Sequence, residues 1–407
     1  MADMQAGIGP FLGVFLLAHN WQNGLIGTVM SIGGIAGMAV TTPAGALIDS
    51  ASHKRLFVAV PGICTVLASA LILLSQEFWL VSASQVATAV AGAAIGPAVT
   101  AITLGIVRQS GFNRQMGINQ AFNHAGNMVG AGLAGLLGWL FGMAAVFWLA
   151  ALFGVLSIIS VTLIPPDAID HRAARGIKHV TGEDDQVSGF RVLVECKPLL
   201  VLAIALAVFH LGNAAMLPLY GMAVVTGVHA NGPGFVAITI VVAQGVMILA
   251  SLFAMRLGEK HGLWIVLLVS FAALPIRGVL ASILISRWGV YPVQFLDGIG
   301  AGLQSVAVPG LVARILNGTG RINVGQGAVM TAQGIGASLS PVIGGWLSQG
   351  LGYGPTFLIL GSFAIASVVL WIVYASAIKH IAAISADPSD ADSGSIETAV
   401  PAPAIAR

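Results

Sequence analysis

Residues Arg114–Gly142 read RQMGINQAFNHAGNMVGAGLAGLLGWLFG, and this stretch decides what kind of protein the chain can be. It is an apolar helix candidate that carries more amide and imidazole than a lipid-facing helix tolerates. At about 100° per residue, Asn119, Asn123 and Asn127 share one arc with Gly126 and Gly130, with Gln120 and His124 beside them. Phe122, Val129, Leu133, Leu136 and Leu140 fill the opposite side. A polar group in a bilayer costs several kcal/mol unless it meets a partner helix or water, so the amide arc faces inward and the leucine arc faces lipid. The glycines let a second helix approach closely.

The whole chain has the same character. Of its 407 residues, 57% are hydrophobic and 8% charged, against about a quarter charged in a soluble domain. That makes it an all-α, polytopic membrane protein and removes nucleic acid from its partners. Apolar runs of bilayer-spanning length fall near 2–18, 24–48, 56–76, 79–107, 117–141 and 143–165, then near 198–226, 233–255, 263–286, 290–315, 322–348 and 353–378. The expected organisation is a six-helix bundle over 1–165, a charged linker over 166–197, a second bundle over 198–378 and a disordered tail over 379–407. Fifteen of the 17 lysines and arginines fall on one side of twelve crossings, which places both termini and the linker in the cytoplasm and the chain in the cytoplasmic membrane.

The halves read as copies. Setting Gly138-Trp139-Leu140 on Gly345-Trp346-Leu347 pairs Asn119 with Gln326 and Gly126 with Gln333, so the fifth span matches the eleventh. Pro10 falls on Pro218, which brings Gln5 onto Asn213 and puts the start of the first span upstream of Met1. The first helix therefore reads as truncated, with Asp3 and Gln5 either at mid-depth or reaching cavity water. Two six-helix pseudo-repeats around a cytoplasmic linker are the layout of transporters that bind at the midplane and rock their halves.

Between the second and third spans, Gly45-Ala-Leu-Ile-Asp49-Ser-Ala-Ser-His-Lys54-Arg55 resembles the loop of the major facilitator superfamily, G-x-L-a-D-r-x-G-r-k. Gly45, Leu47, Asp49 and Lys54 match, while Ser50 and Ser52 replace a basic residue and a glycine. The resemblance implies the twelve-helix facilitator fold and a cytoplasmic gate at Gly45, Asp49, Lys54 and Arg55, with Asp49 as a latch. Gly126-x-x-x-Gly130-Ala-Gly-Leu-Ala-Gly135 is similar to the family's antiporter motif, with Ala131 where proline is expected. Gln85 stands where many drug–proton antiporters carry arginine.

Polar groups at membrane depth are then the candidates for solute binding and coupling: Asp3, Gln5, Asn119, Asn123, His124, Asn127, His210, Asn213, Gln326 and Gln333. Either histidine can titrate near neutral pH. The same groups could instead hold the bundle together by interhelical hydrogen bonds. Arg277, ten residues before Arg287, and Asp297, nine after Trp288, lie roughly 15 and 13.5 Å deep on adjacent antiparallel helices, which predicts a buried ion pair. No metal spacing, cofactor fingerprint or nucleophile–base set is visible, so neither an enzyme nor a cofactor is expected. The chain reads as a monomeric secondary transporter that exports a small organic solute, driven by the proton gradient. The alternatives are a facilitator or proton symporter for uptake and, in another class, a non-transporting membrane sensor or scaffold.

Overall fold

The structure is a computed structural model that describes residues 9–51, 54–165, 168–170, 194–228, 232–316 and 322–382. Asp3 and Gln5 lie outside the described residues, as does most of the linker. The first half holds α1 (Gly9–Ala18), α2 (Asn23–Ser50), α3 (Leu56–Leu74), α4 (Phe78–Phe141) and α5 (Ala144–Thr162). The second holds α6 (Lys197–Asn213), α7 (Met216–Val228), α8 (Gly232–His261), α9 (Leu263–Ile283), α10 (Val290–Ile315), α11 (Ile322–Leu351), α12 (Tyr353–Val373) and the short α13 (Ala375–Ala382). Among the described residues there is no strand.

Two irregularities reconcile these elements with twelve crossings. Helix α4 is two spans, its 64 residues broken at Arg108, whose φ of 56° and ψ of −177° leave the helical region. Asp170 folds back onto that break, its N–H donating to Gly105 O at 3.0 Å and its carboxylate 3.6 Å from Arg108 Nη2. Conversely, α6 and α7 are one span interrupted at Ala214–Ala215. Pro218 has no N–H to give the Ala214 carbonyl, and the N–H of Ala215 donates to Ser340 Oγ of α11 at 2.9 Å. Nine of the described stretches are long and apolar enough to cross a membrane by composition alone. Those that fall short are α1, with ten described residues, and the second arm of α4 (109–141) and α11, whose amides and glycines lower their mean hydropathy.

The two arms of the repeat are in a register the sequence alone misjudges. Gly142 and Gly352 carry the same positive φ, 83° and 81°, at the turns that follow the fifth and eleventh spans. Gly135 packs on Ala237 and Pro233 of α8, and Gly345 packs on Gly27 and Asn23 of α2. All four correspondences have a spacing of 210 residues, whereas the Gly-Trp-Leu triplets are 207 apart. Three residues is nearly one helical turn, so the triplets preserve the face and miss the depth. In the correct register Asn123 is the partner of Gln333, not Gly126.

Exposed Trp79, Trp139, Trp148 and Trp288 ring one end of the bundle, as expected of side chains at a membrane interface. Internal bracing is unequal. In the second half, Ser367 Oγ donates to Ala205 O, Trp371 Nε1 to Trp264 O, Ser270 Oγ to Gly300 O and Tyr220 Oη to Leu284 O, tying α6, α7, α9, α10 and α12 into one frame. The first half has fewer such ties among its described residues, chiefly Ser84 Oγ to Ala68 O and Arg55 to the end of α5. Helix α13 continues past residue 378, where the tail was expected to begin, with Lys379 Nζ 4.1 Å over the Trp264 ring.

Candidate functional site

The halves meet along two seams, α2 with α11 and the second arm of α4 with α8, and the α2–α11 seam tapers. At the end where α2 starts, a Cβ on Gly27 would strike Pro341 O, and one on Gly24 would lie 2.6 Å from the Trp346 ring. About two turns deeper, a Cβ on Gly34 would lie 3.0 Å from Ser338 Oγ; deeper again, one on Gly334 would lie 3.6 Å from Met38; and Gly327, on the same face of α11, has nothing within 4 Å. The tight end is also where hydrogen bonds cross. Gly24 N–H donates to Gln349 Oε1 (3.0 Å), Gln349 Nε2 to Gln22 Oε1 (2.9 Å), Trp346 Nε1 to Thr28 Oγ1 (3.2 Å), Val342 N–H to Ser31 Oγ (2.9 Å) and Tyr353 Oη to Asn23 Oδ1 (3.2 Å). Apart from Trp346, used only to align the halves, none of these donors or acceptors was singled out in the sequence. They sit at helix ends or on small residues, where polar atoms draw no notice; the sequence-level signal is the run of glycines 24, 27 and 34 facing glycine 345.

The polar residues of the fifth span point three ways. Asn119 turns toward the first arm of α4, donating from Nδ2 to Thr103 Oγ1 at 3.1 Å and accepting from Gln115 Nε2 at 3.0 Å. That amide is a clamp within the first half rather than a lining group, because each of its polar atoms already has a partner. His124 turns to α8, with Nδ1 2.8 Å from Gln244 Oε1, and is the polar bridge between the halves away from the tight end. Its counterparts on the other seam in the 210 register, Gly334 and Gly34, have no side chains. Asn123 and Asn127 lie between those two directions, facing the gap; Asn123 is half-buried with no hydrogen bond to the described residues, and Asn127 Oδ1 is buried without a partner.

On α11, Gly327, Gly334, Ser338, Pro341 and Gly345 face α2, while Gly336 and Ser340 face α6 and α7. Gln326, Met330 and Gln333 lie between these arcs, opposite lipid-exposed Ile335, Leu339 and Trp346, so they face the gap; Met330 is 60% exposed there. By helical position, Asn123, Asn127, Gln326 and Gln333 are the residues of the expected set that lie off the packed seam faces of their spans.

His210 and Asn213 are not part of that lining group, since both are committed inside the second half. His210 Nε2 is 3.2 Å from Gln304 Oε1, and Gln304 Nε2 donates to Ser270 Oγ at 2.9 Å. Asn213 Oδ1 accepts from Arg277 Nη1 at 2.6 Å. Arg277, 1% exposed, also places Nη1 2.7 Å from Asp297 Oδ1 and Nη2 3.3 Å from Gln294 Oε1. Depth counting placed the two charges together; Asn213 and Gln294 join them laterally, which residue counting cannot foresee.

At the expected gate, two of the residues bond main-chain carbonyls. Lys54 is buried and donates to Ile48 O at 2.8 Å, satisfying a carbonyl at the end of α2. Arg55 donates to Ile164 O at 2.7 Å beyond the end of α5. Both of these hydrogen bonds stay within the first half. The side chain of Asp49 lies outside the described residues, and Gly45 sits in the last turns of α2.

A twelve-span bundle with two inverted seams and an amide-lined gap narrows the kinship of this chain, and comparison decides it. Residues 2–324 match the family description Major Facilitator Superfamily. The chain belongs to the Major Facilitator Superfamily. This superfamily member is 39% identical over 375 residues to an uncharacterised MFS-type transporter of Mycobacterium tuberculosis, covering 92% of this chain and 90% of the relative. Its fold is similar to that of a mutant of the nucleoside transporter NupG, with a TM-score of 0.78 at 12% identity over 91% of this chain and 97% of that one. It is also similar to a bacterial homologue of the human lysosomal transporter Spinster in an inward-facing, unoccupied conformation, with a TM-score of 0.69 at 14% identity over 94% and 95% of the two chains. This facilitator is thus a secondary transporter of small molecules rather than an enzyme.

Proposed function

We propose that the chain exports a small, uncharged, polar or amphipathic organic solute across the cytoplasmic membrane by alternating access, driven by the proton gradient. The observation that carries this reading is the taper of the α2–α11 seam, closed at the aromatic-ringed end and opening toward Gly327, beside Gln326 and Met330. Lys54, Arg55, Arg108, Arg256, Lys260 and Arg314 cluster at the open end, which by the bias of positive charge reads as cytoplasmic, with both termini on that side. An exporter loads from that side. Amides offer both donors and acceptors without a fixed charge, so the gap suits an uncharged polar solute, and the one deep cation described, Arg277, is already matched by Asp297. Asp49, Lys54 and Arg55 close the cytoplasmic end in the opposite state, when the two halves swing together. One of the structurally similar proteins is a nucleoside transporter, which makes radiolabelled nucleosides a suitable first probe.

Reconstituted protein in proteoliposomes should accumulate the probe only under an imposed pH gradient, and Asn123→Ala and Gln333→Ala should each raise KM. Accumulation that ignores the gradient would replace export with facilitated diffusion.

A further inference from the structure

Helix α2 begins at the tight end of its seam with no cap of its own. The first N–H groups of a helix have no partner inside it, and Gln22, at the N-cap position, makes no side-chain bond to them. Asn23, a residue type that caps well, is turned away, its Oδ1 accepting from Tyr353 Oη of α12 at 3.2 Å. The Gly24 N–H is taken instead by the opposite half: Gln349 Oε1 of α11 accepts it at 3.0 Å, while Gln349 Nε2 donates to Gln22 Oε1 at 2.9 Å. Glycine is what lets the carboxamide in, since a Cβ there would lie 2.7 Å from Gln349 Oε1. Gly24 is buried and Gln349 exposed, so the amide reaches the helix end over the rim of the seam. In the 210 register the counterpart of Gln349 is Trp139. An indole only donates, so the other seam cannot be capped from that position.

We propose that Gln349 is the N-cap of α2, supplied from the opposite half, and that this cap sets how readily the tight end opens. When the halves part at that end, Gln349 leaves with α11, Gly24 loses its acceptor, and the first turn of α2 is uncapped in the same movement. One side chain thus joins two costs, parting the seam and baring a helix end. Water offsets the second cost only after it has entered the seam, because a buried N–H without an acceptor is unfavourable until then. Gln349 acts through α2 rather than on the solute, which makes it a positioning residue. The inference holds whichever way the solute moves and whatever drives it.

Thiol labelling of Met222→Cys in the full-length protein in lipid, with Cys64 and Cys196 replaced by serine, reads the opening of the tight end. Met222 is 2% exposed and lines the small cavity between α2, α7 and α11, so its labelling rate follows the fraction of molecules open there. Gln349→Leu should label roughly fifteenfold faster, about fivefold for the lost cap and about threefold for the lost bond to Gln22. Two charged variants separate a cap from a plain tether. Gln349→Lys can still donate to Gln22 but cannot accept from Gly24, and its charge opposes the helix dipole, so it should label at least about fivefold faster. Gln349→Glu accepts from Gly24 and suits a helix N-terminus, and Gln22 can turn its amide to donate, so labelling should stay within about twofold of the wild type. Hydrogen exchange at the amides of residues 24–26 should rise in step with labelling. A folded Gln349→Leu or Gln349→Lys protein that labels at the wild-type rate, Gln349→Glu as fast as Gln349→Leu, or faster labelling without faster exchange overturns the proposal. Should Gln349→Leu fail to fold, the contrast between Gln349→Lys and Gln349→Glu decides in its place.

Discussion

Gly345→Ala should turn the transporter toward its opposite state. A Cβ at Gly345 would stand 2.5 Å from Asn23 O and 3.1 Å from Gly27 Cα, both backbone atoms that cannot rotate away. Reaching 3.4 Å, the near edge of ordinary contact, separates α2 and α11 by about 0.9 Å at that point. The three neighbouring bonds from Gly24 N–H, Val342 N–H and Trp346 Nε1, now 2.9–3.2 Å long, then stretch beyond useful length. At about 0.6 kcal/mol per interhelical bond in a membrane protein, roughly 2 kcal/mol is lost from the closed seam alone. That shifts the ratio of the two states by roughly 30-fold. The assay is thiol labelling of Met330→Cys, at the open end, in a background with Cys64 and Cys196 replaced by serine. The alanine variant should label more slowly as that end closes. A folded variant that labels at the unchanged rate, or faster, refutes the reasoning.

Four further outcomes follow from the same geometry. Arg277→Leu should lower unfolding stability by about 3–5 kcal/mol, as expected when a buried charge loses its partner, and the Arg277→Leu, Asp297→Leu double variant should recover much of it; equal losses in denaturant melts would show that the pair contributes nothing. Arg55→Gln should cost about 1 kcal/mol, because Ile164 O at the end of α5 loses its donor, and a loss below the error of the melt would rule out that tie. Thr103→Val should lower stability by about 0.6 kcal/mol with KM for the transported solute unchanged, since among the described residues its hydroxyl serves Asn119 and Val99 O. Asn123→Ala should do the reverse, raising KM without moving the melt.

The fold was legible because a bilayer imposes a single rule on every span, and Arg114–Gly142 breaks that rule in an organised way. The helical period correctly separates Phe122, Val129 and Leu136 from the amides. It could not divide the amides among themselves, since Asn119, Asn123 and His124 look alike until α4's own first arm and α8 occupy either side. Register failed for a related reason. The triplet Gly-Trp-Leu is a strong visual match, but the glycine contacts that set depth, Gly135 on α8 and Gly345 on α2, involve partners distant in sequence. Arg277 and Asp297 were readable because in antiparallel helices a residue count converts directly into depth. The closed seam was not, because its strength lies in backbone groups of Gly24 and Val342, which every residue possesses.

The unequal bracing of the halves has a thermal consequence. Among the described residues the second half is pinned from helix to helix by Ser367, Trp371, Ser270, Gln304 and Tyr220, whereas the first shows fewer such ties, among them Ser84 to Ala68 O and Asn119 to Thr103, and packing alone offers little cohesion between helices already surrounded by hydrocarbon. On warming, the first half is therefore the softer body, opening locally while the second stays assembled. A solute that bridges Asn123 and Gln333 would lend the first half the stiffness of the second, so occupancy should register as delayed loosening of α2 to α5.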